Sequence, residues 1–180
     1  LGISAAACSP SPDHATSADT QLAVATVAPA APDTATGGTL AHYRLTAEPD
    51  WQSRLPKDLE EISGLAFSPD GRLFAHGDQD ATIWQLDARA GKVLKTFRLA
   101  PTGHDPDMGK KRKDNEVTGD FEDIQIVGDR FFLISSTGML LEFREGADGA
   151  RVPYTAYDTG LGSACEIEGL AYDEAGQALL

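Results

Sequence analysis

The side chains best equipped for chemistry in this sequence are carboxylates that recur in one pattern. Glu61-Ile62-Ser63, Asp120-Phe121-Glu122 and Glu166-Ile167-Glu168 each place an acid at the start of a short apolar alternation. Residues i and i+2 of a β-strand share a face, so Asp120 projects with Glu122 and Glu166 with Glu168, while Glu61 shares its side with Ser63. Glu61, Asp120, Glu122, Glu166 and Glu168 brought to one mouth would repel one another unless a cation or shared protons offset the charge. Oxygen donors suit a hard cation, with Ca2+ first and Mg2+ second. Two further readings stay open: solvated carboxylates, or carboxylates bonded to backbone N–H groups of a neighbouring segment, and acid/base work by one of the pairs.

Other polar groups say less. His76 and Asp78, within His76-Gly77-Asp78-Gln79-Asp80, are candidates for the same rim, although turn preference alone accounts for a Gly/Asp hairpin there. His104-Asp105-Pro106-Asp107 fits neither a zinc spacing nor a calcium loop. Lys110-Lys111-Arg112-Lys113 is a lone basic run in an acidic insertion and reads as a solvated loop. No nucleophile elbow, phosphate-binding glycine loop, His-Glu-x-x-His or dinucleotide fingerprint is present.

The elements that must position the carboxylates come from an internal repeat. An acidic start, an apolar alternation, a turn and a second apolar run return at Glu61, Asp120 and Glu166, spaced 59 and 46 residues apart. The longer interval holds a polar insertion at 101–118. A period of about 40–50 residues with four short strands is the mark of a β-propeller blade. Turn chemistry at Ser68-Pro69-Asp70-Gly71, Gly77–Asp80 and Ala88–Gly91 predicts strands over 61–67, 72–76, 81–87 and 92–99. The second copy predicts strands near 121–127, 131–135, 139–144 and 151–157. The third has a first strand near 166–172, which would carry Cys165 at its start, and then a turn at Asp173–Gly176. The fold class is therefore all-β: about two and a half four-stranded blades, near 60–99, 119–157 and 165–180, of a ring that closes with four to eight. Leu40–Thr46 is expected as a further strand, and Leu179-Leu180 as an unpaired edge prone to aggregation.

Residues 1–40 have no Lys or Arg and carry only Asp13, Asp19 and Asp33 as charges among Ala, Thr, Ser and Pro. Such a stretch cannot bury enough apolar surface to offset its ordering entropy. Cys8 follows small residues, Ser4-Ala5-Ala6-Ala7, of the kind that precede a lipidated cysteine, and Ser9-Pro10-Ser11-Pro12 opens a tether. The expected organisation is the end of a lipoprotein signal with lipidated Cys8 over 1–8, a disordered tether over 9–39, and a partial propeller over 40–180. Cys165 is the one other cysteine, so with Cys8 lipidated no disulfide is expected. The chain carries 15 Lys+Arg against 28 Asp+Glu, a formal charge of −13, which excludes docking on nucleic acid or anionic lipid as a main activity.

The segments Leu59-Glu60-Glu61-Ile62-Ser63-Gly64-Leu65-Ala66, Gly119-Asp120-Phe121-Glu122-Asp123-Ile124, Ser135-Ser136-Thr137-Gly138-Met139-Leu140 and Cys165-Glu166-Ile167-Glu168-Gly169-Leu170-Ala171-Tyr172 resemble the SdiA-regulated family of bacterial envelope β-propellers, related in architecture to phytase-like propellers. The resemblance covers about 58–180. It implies a six-bladed propeller on the periplasmic side of the envelope, acidic residues at the channel mouth, and no established reaction. The expected function is an envelope-anchored lipoprotein that binds a Ca2+-dependent ligand or a protein partner at that mouth. A metal-dependent hydrolase of a phosphoester, ester or lactone is the alternative, and a rigid structural spacer is a third. The expected partners are a small ligand or an envelope protein, with membrane contact only through the lipid, and the chain is expected to be monomeric.

Overall fold

Alternating apolar residues cut by Gly-containing turns do fold into stacked antiparallel sheets. The computed structural model describes residues 2–3, 47–49, 52–59, 61–109 and 115–180. The chain divides into two units, Leu1–Ser9 with Ser53–Leu180, and Pro10–Gln52. In the second unit only 47–49 and Gln52 are described, and they are exposed and outside any strand. The expected lipidated Cys8, the tether over 9–39, the strand Leu40–Thr46 and the basic run Lys110–Lys113 lie outside the described residues.

The strands are β1 (Gly2–Ile3), β2 (Ile62–Phe67), β3 (Leu73–Gly77), β4 (Thr82–Asp87), β5 (Lys92–Leu99), β6 (Phe121–Val127), β7 (Arg130–Ser135), β8 (Met139–Arg144), β9 (Arg151–Val152), β10 (Tyr154–Asp158), β11 (Tyr172–Asp173) and β12 (Ala178–Leu179). Blade one is the meander β2-β3-β4-β5 and blade two is β6-β7-β8-β10. Hairpin chemistry sets the registers. At Ser68–Gly71 the Ser68 carbonyl accepts the Gly71 N–H (2.8 Å) and the Ser68 hydroxyl accepts the Arg72 N–H (3.1 Å), so Phe67 falls opposite Leu73. In blade two, Gly128 at φ 63° closes a two-residue turn that sets Val127 opposite Arg130.

Pairing each strand with its neighbour defines apolar rows across a sheet. In blade two, Ile126, Phe131, Phe143 and Tyr154 form one row and Ile124, Leu133, Leu141 and Ala156 the next. These rows pack on the face of blade one that carries Ala66, Phe74, Ile83 and Phe97. Phe131 is the hub of this contact, edge-on to Phe74 (5.0 Å between centroids) and Phe97 (6.0 Å) and tilted on Phe143 (5.5 Å). Glu145 ties the same two blades electrostatically, bonding Arg72 (2.6 Å) and Lys95. The opposite face of blade two, with Phe132, Ile134 and Leu140, packs on Leu179, Leu170 and Tyr172 of the third unit, the third copy of the repeat at residues 165–180.

Four expectations are corrected. The fourth strand expected over 151–157 is split at Pro153, which has no N–H for the ladder: β9 pairs parallel with β5 of blade one, and β10 pairs with β8. The first strand expected over 166–172 is confined to Tyr172–Asp173, so Cys165 is not on a strand; with Tyr172 opposite Leu179, residues 166–170 have no ladder partner. The edge at Ala178–Leu179 is covered, because Gly2–Ile3 pairs with it in parallel. Cys165 is disulfide-bonded, contrary to the expectation of no disulfide; the one other cysteine in the sequence is Cys8.

Candidate functional site

The starts of the innermost strands and the β3–β4 hairpin lie at one end of the blades, and backbone bonds stitch them into a rim. Phe121 N–H donates to Asp78 O (2.9 Å), Gly119 N–H to Gln79 O (3.2 Å) and Asp120 N–H to Met108 O (2.5 Å). Further along, Ser136 N–H donates to Asp120 O (2.8 Å) and Ile167 N–H to Ser136 O (3.1 Å). The expected carboxylates are strung along this path. Glu61 is exposed and accepts from Gln79 Nε2 (2.7 Å), Asp120 accepts from the Ser136 hydroxyl (3.1 Å), Glu122 is half-buried, and Glu166 and Glu168 are exposed on either side of Ile167.

Among the described residues no three His, Cys, Asp or Glu side chains come together closely enough to hold a metal ion. A bulge between Ile62 and Gly64, repeated between Phe121 and Asp123, inserts one residue into the inner strand and shifts the i, i+2 alternation at Glu61/Ser63 and Asp120/Glu122, while Glu166 and Glu168 lie outside any strand.

The bulge brings forward a carboxylate that the sequence reading passed over. Asp123 Oδ1 accepts Ile124 N–H (2.7 Å) and Oδ2 accepts Leu170 N–H (2.9 Å), so one side chain joins blade two to the third unit. On its other side, Asp123 Oδ1 and His76 Nε2 both crowd Gly64, where a Cβ would lie 2.8 Å and 2.5 Å from them. Gly64, Asp123 and Gly169 occupy the same place in the three copies, and this column of small residues beside one Asp was the available signal. His76, expected at the rim, is instead fully buried. Its Nδ1–H donates to Gly77 O (2.9 Å) while Nε2 has no partner. Burial depresses the His76 pKa below the usual imidazole value, against the opposing pull of Asp123 and Asp78, and keeps the ring neutral.

Asp78 does sit at the rim. With Glu61, Asp80, Gln79, Lys57 and the half-buried Trp84 it lines a cleft of about 360 Å³ floored by Leu59 and Ile62. Three carboxylates against one ammonium give the cleft negative character, and the indole offers an aromatic wall, a combination suited to a basic side chain.

Residues 34–105 match the family described as the WD40 domain of anaphase-promoting complex subunit 4, 72 of the 180 residues and the whole of blade one. No curated protein matches the chain. The stacked four-stranded sheets and this repeat match over blade one agree on the fold: the chain is all-β and makes part of a β-propeller.

Proposed function

We propose that the protein is a propeller-type scaffold for protein interaction, and that its acidic rim is the surface that engages a basic segment of a partner. The observation that carries this reading is the cleft in which Glu61, Asp78 and Asp80 stand beside Trp84 at the end of blade one. The family matched by blade one supports it, since its printed description is that of a domain in a subunit of a complex. The charge of −13 favours approach by cationic surfaces. A Ca2+-dependent ligand at the same mouth is a separate reading, with Glu61, Asp120, Glu122, Glu166 and Glu168 as the donors.

Residence in the bacterial envelope, and kinship with the SdiA-regulated propellers, rest on the segments around these residues. The disulfide at Cys165 supports an oxidising compartment.

Calorimetric titration of the chain with an arginine-rich peptide, in parallel with a glutamate-rich peptide of equal length, tests the proposal. Binding of the basic peptide alone is expected, weakened at least tenfold by Glu61→Gln/Asp78→Asn/Asp80→Asn and unaffected by chelator. A basic peptide that binds wild type and variant alike contradicts the rim assignment. Binding that requires Ca2+ selects the Ca2+-dependent reading.

A further inference from the structure

Where blade one meets the returning insertion, two polar atoms are buried without a partner among the described residues. Thr82, 2% exposed, opens β4 opposite Arg98, and its Oγ1 makes no hydrogen bond. Asp80, two residues earlier, has its Oδ1 buried and equally unpartnered. Buried polar atoms in this state are costly, a carboxylate oxygen more so than a hydroxyl. The backbone around them is fixed: Asp80 bridges Thr118, Ala81 N–H donates to Val117 O (2.9 Å) and Leu99 N–H donates to Ala81 O (3.1 Å).

Both side chains line a single cavity of about 10 Å³, between the apolar walls Leu99 and Val117 and beside Arg98, Glu116 and Arg151. A space of roughly 10–15 Å³ holds one water molecule when two or more polar groups face it. Arg98 and Arg151 oppose a cation there, and Asp80 and Glu116 oppose an anion, so the charges favour a neutral occupant. Asp80 also lines the acidic cleft, which makes its carboxylate the border between the two spaces.

We infer that the cavity binds one water molecule that joins Thr82 to Asp80. An ionised carboxylate only accepts, so the water donates to Asp80 Oδ1, and the Thr82 hydroxyl donates to the water oxygen. Thr82 is thereby a positioning residue: through the water it holds the Asp80 carboxylate at the edge of the cleft. The water site stands on the cavity alone, whereas the positioning role rests on the reading of the cleft as the surface for a basic partner.

Crystal structures of the chain and of its Thr82→Val and Thr82→Ser variants, at a resolution that shows ordered water, test the site. Density within hydrogen-bond reach of both Asp80 Oδ1 and the residue 82 hydroxyl is expected in the wild type and in Thr82→Ser. Thr82→Val, with a methyl in place of the hydroxyl, is expected to lose it. A cavity without density in the wild type, or a direct hydrogen bond between Asp80 and Thr82, overturns the inference. Calorimetry with the arginine-rich peptide reads the positioning role: Thr82→Val is expected to weaken binding about three- to tenfold and Thr82→Ser to restore it. Undiminished affinity in Thr82→Val overturns that role. A wild type that binds no peptide overturns the reading of the cleft, while the density still decides the water site.

Discussion

Replacing Phe131 probes the contact between blades one and two at its most aromatic point. Phe131 is 2% exposed and meets Phe74, Phe97 and Phe143 at centroid distances of 5.0, 6.0 and 5.5 Å. Truncating a buried Phe to Ala costs about 3–5 kcal/mol through lost burial and the cavity left behind. Each aromatic pair adds about 0.5–1.5 kcal/mol beyond area, and two of the three pairs here cross between the blades, so Phe131→Ala belongs at the upper end, about 4–5 kcal/mol. Phe131→Leu keeps most of the apolar volume and loses the ring pairs, which sets its cost at about 1.5–2 kcal/mol. Leu65→Ala, at the equivalent sheet face but exposed, is the control and should change stability by about 0.5 kcal/mol or less. Urea unfolding followed by circular dichroism, with an unchanged denaturant slope, reads all three. A cost for Phe131→Ala as small as that of Leu65→Ala would refute the packing of blade two on blade one.

Three other outcomes follow from the same geometry. His76 is held neutral by burial, so its folded pKa lies below the unfolded value of about 6.5; the unfolded chain takes up the proton first, and stability is complete above that pH and declines as pH falls below it, by at most about 1.4 kcal/mol per pH unit. His76→Leu should flatten this part of a pH series of urea midpoints, and an unaltered slope would remove His76 as the cause. Asp123→Ala removes the acceptor of Leu170 N–H and should cost about 2 kcal/mol, with faster hydrogen exchange at the Leu170 amide; unchanged exchange there would contradict the bridge. The Cys165 disulfide predicts that alkylation of the unreduced, unfolded chain labels no thiol and that reduction exposes two, whereas a lipidated Cys8 leaves one thiol reactive throughout.

Much of the architecture was legible because turn chemistry is local. Ser68-Pro69-Asp70-Gly71 and Gly128-Asp129 mark their hairpins in the sequence, and strands β2 to β8 fall within one or two residues of their predicted bounds. What failed depended on partners that local pattern does not encode. The third unit has an apolar alternation at 166–171 as clear as the others, but a strand needs a hydrogen-bonded neighbour, and β12 pairs only as far as Tyr172–Asp173. Pro153 was visible, yet nothing local showed that its two flanks would pair with different sheets.

The site followed the same division. The repeat marked the strand starts that form the rim traced by Asp78, Phe121, Ser136 and Ile167. The pairing of carboxylates was inferred from ideal alternation, and the bulges at Gly64 and Asp123 shift that alternation in the first two copies. His76 was read as part of a polar hairpin, but it is the last inward-facing residue of β3 before the turn, and its ring fills the interior above Gly64.

Hydrogen exchange measured on the chain with and without the arginine-rich peptide tests the acidic rim most directly. The account predicts slowed exchange at Gly77–Asp80 and at Gly119–Asp120, with no change along β7 and β8. Slowed exchange confined to other segments, or none while the peptide is bound, would contradict the rim as the partner-binding surface.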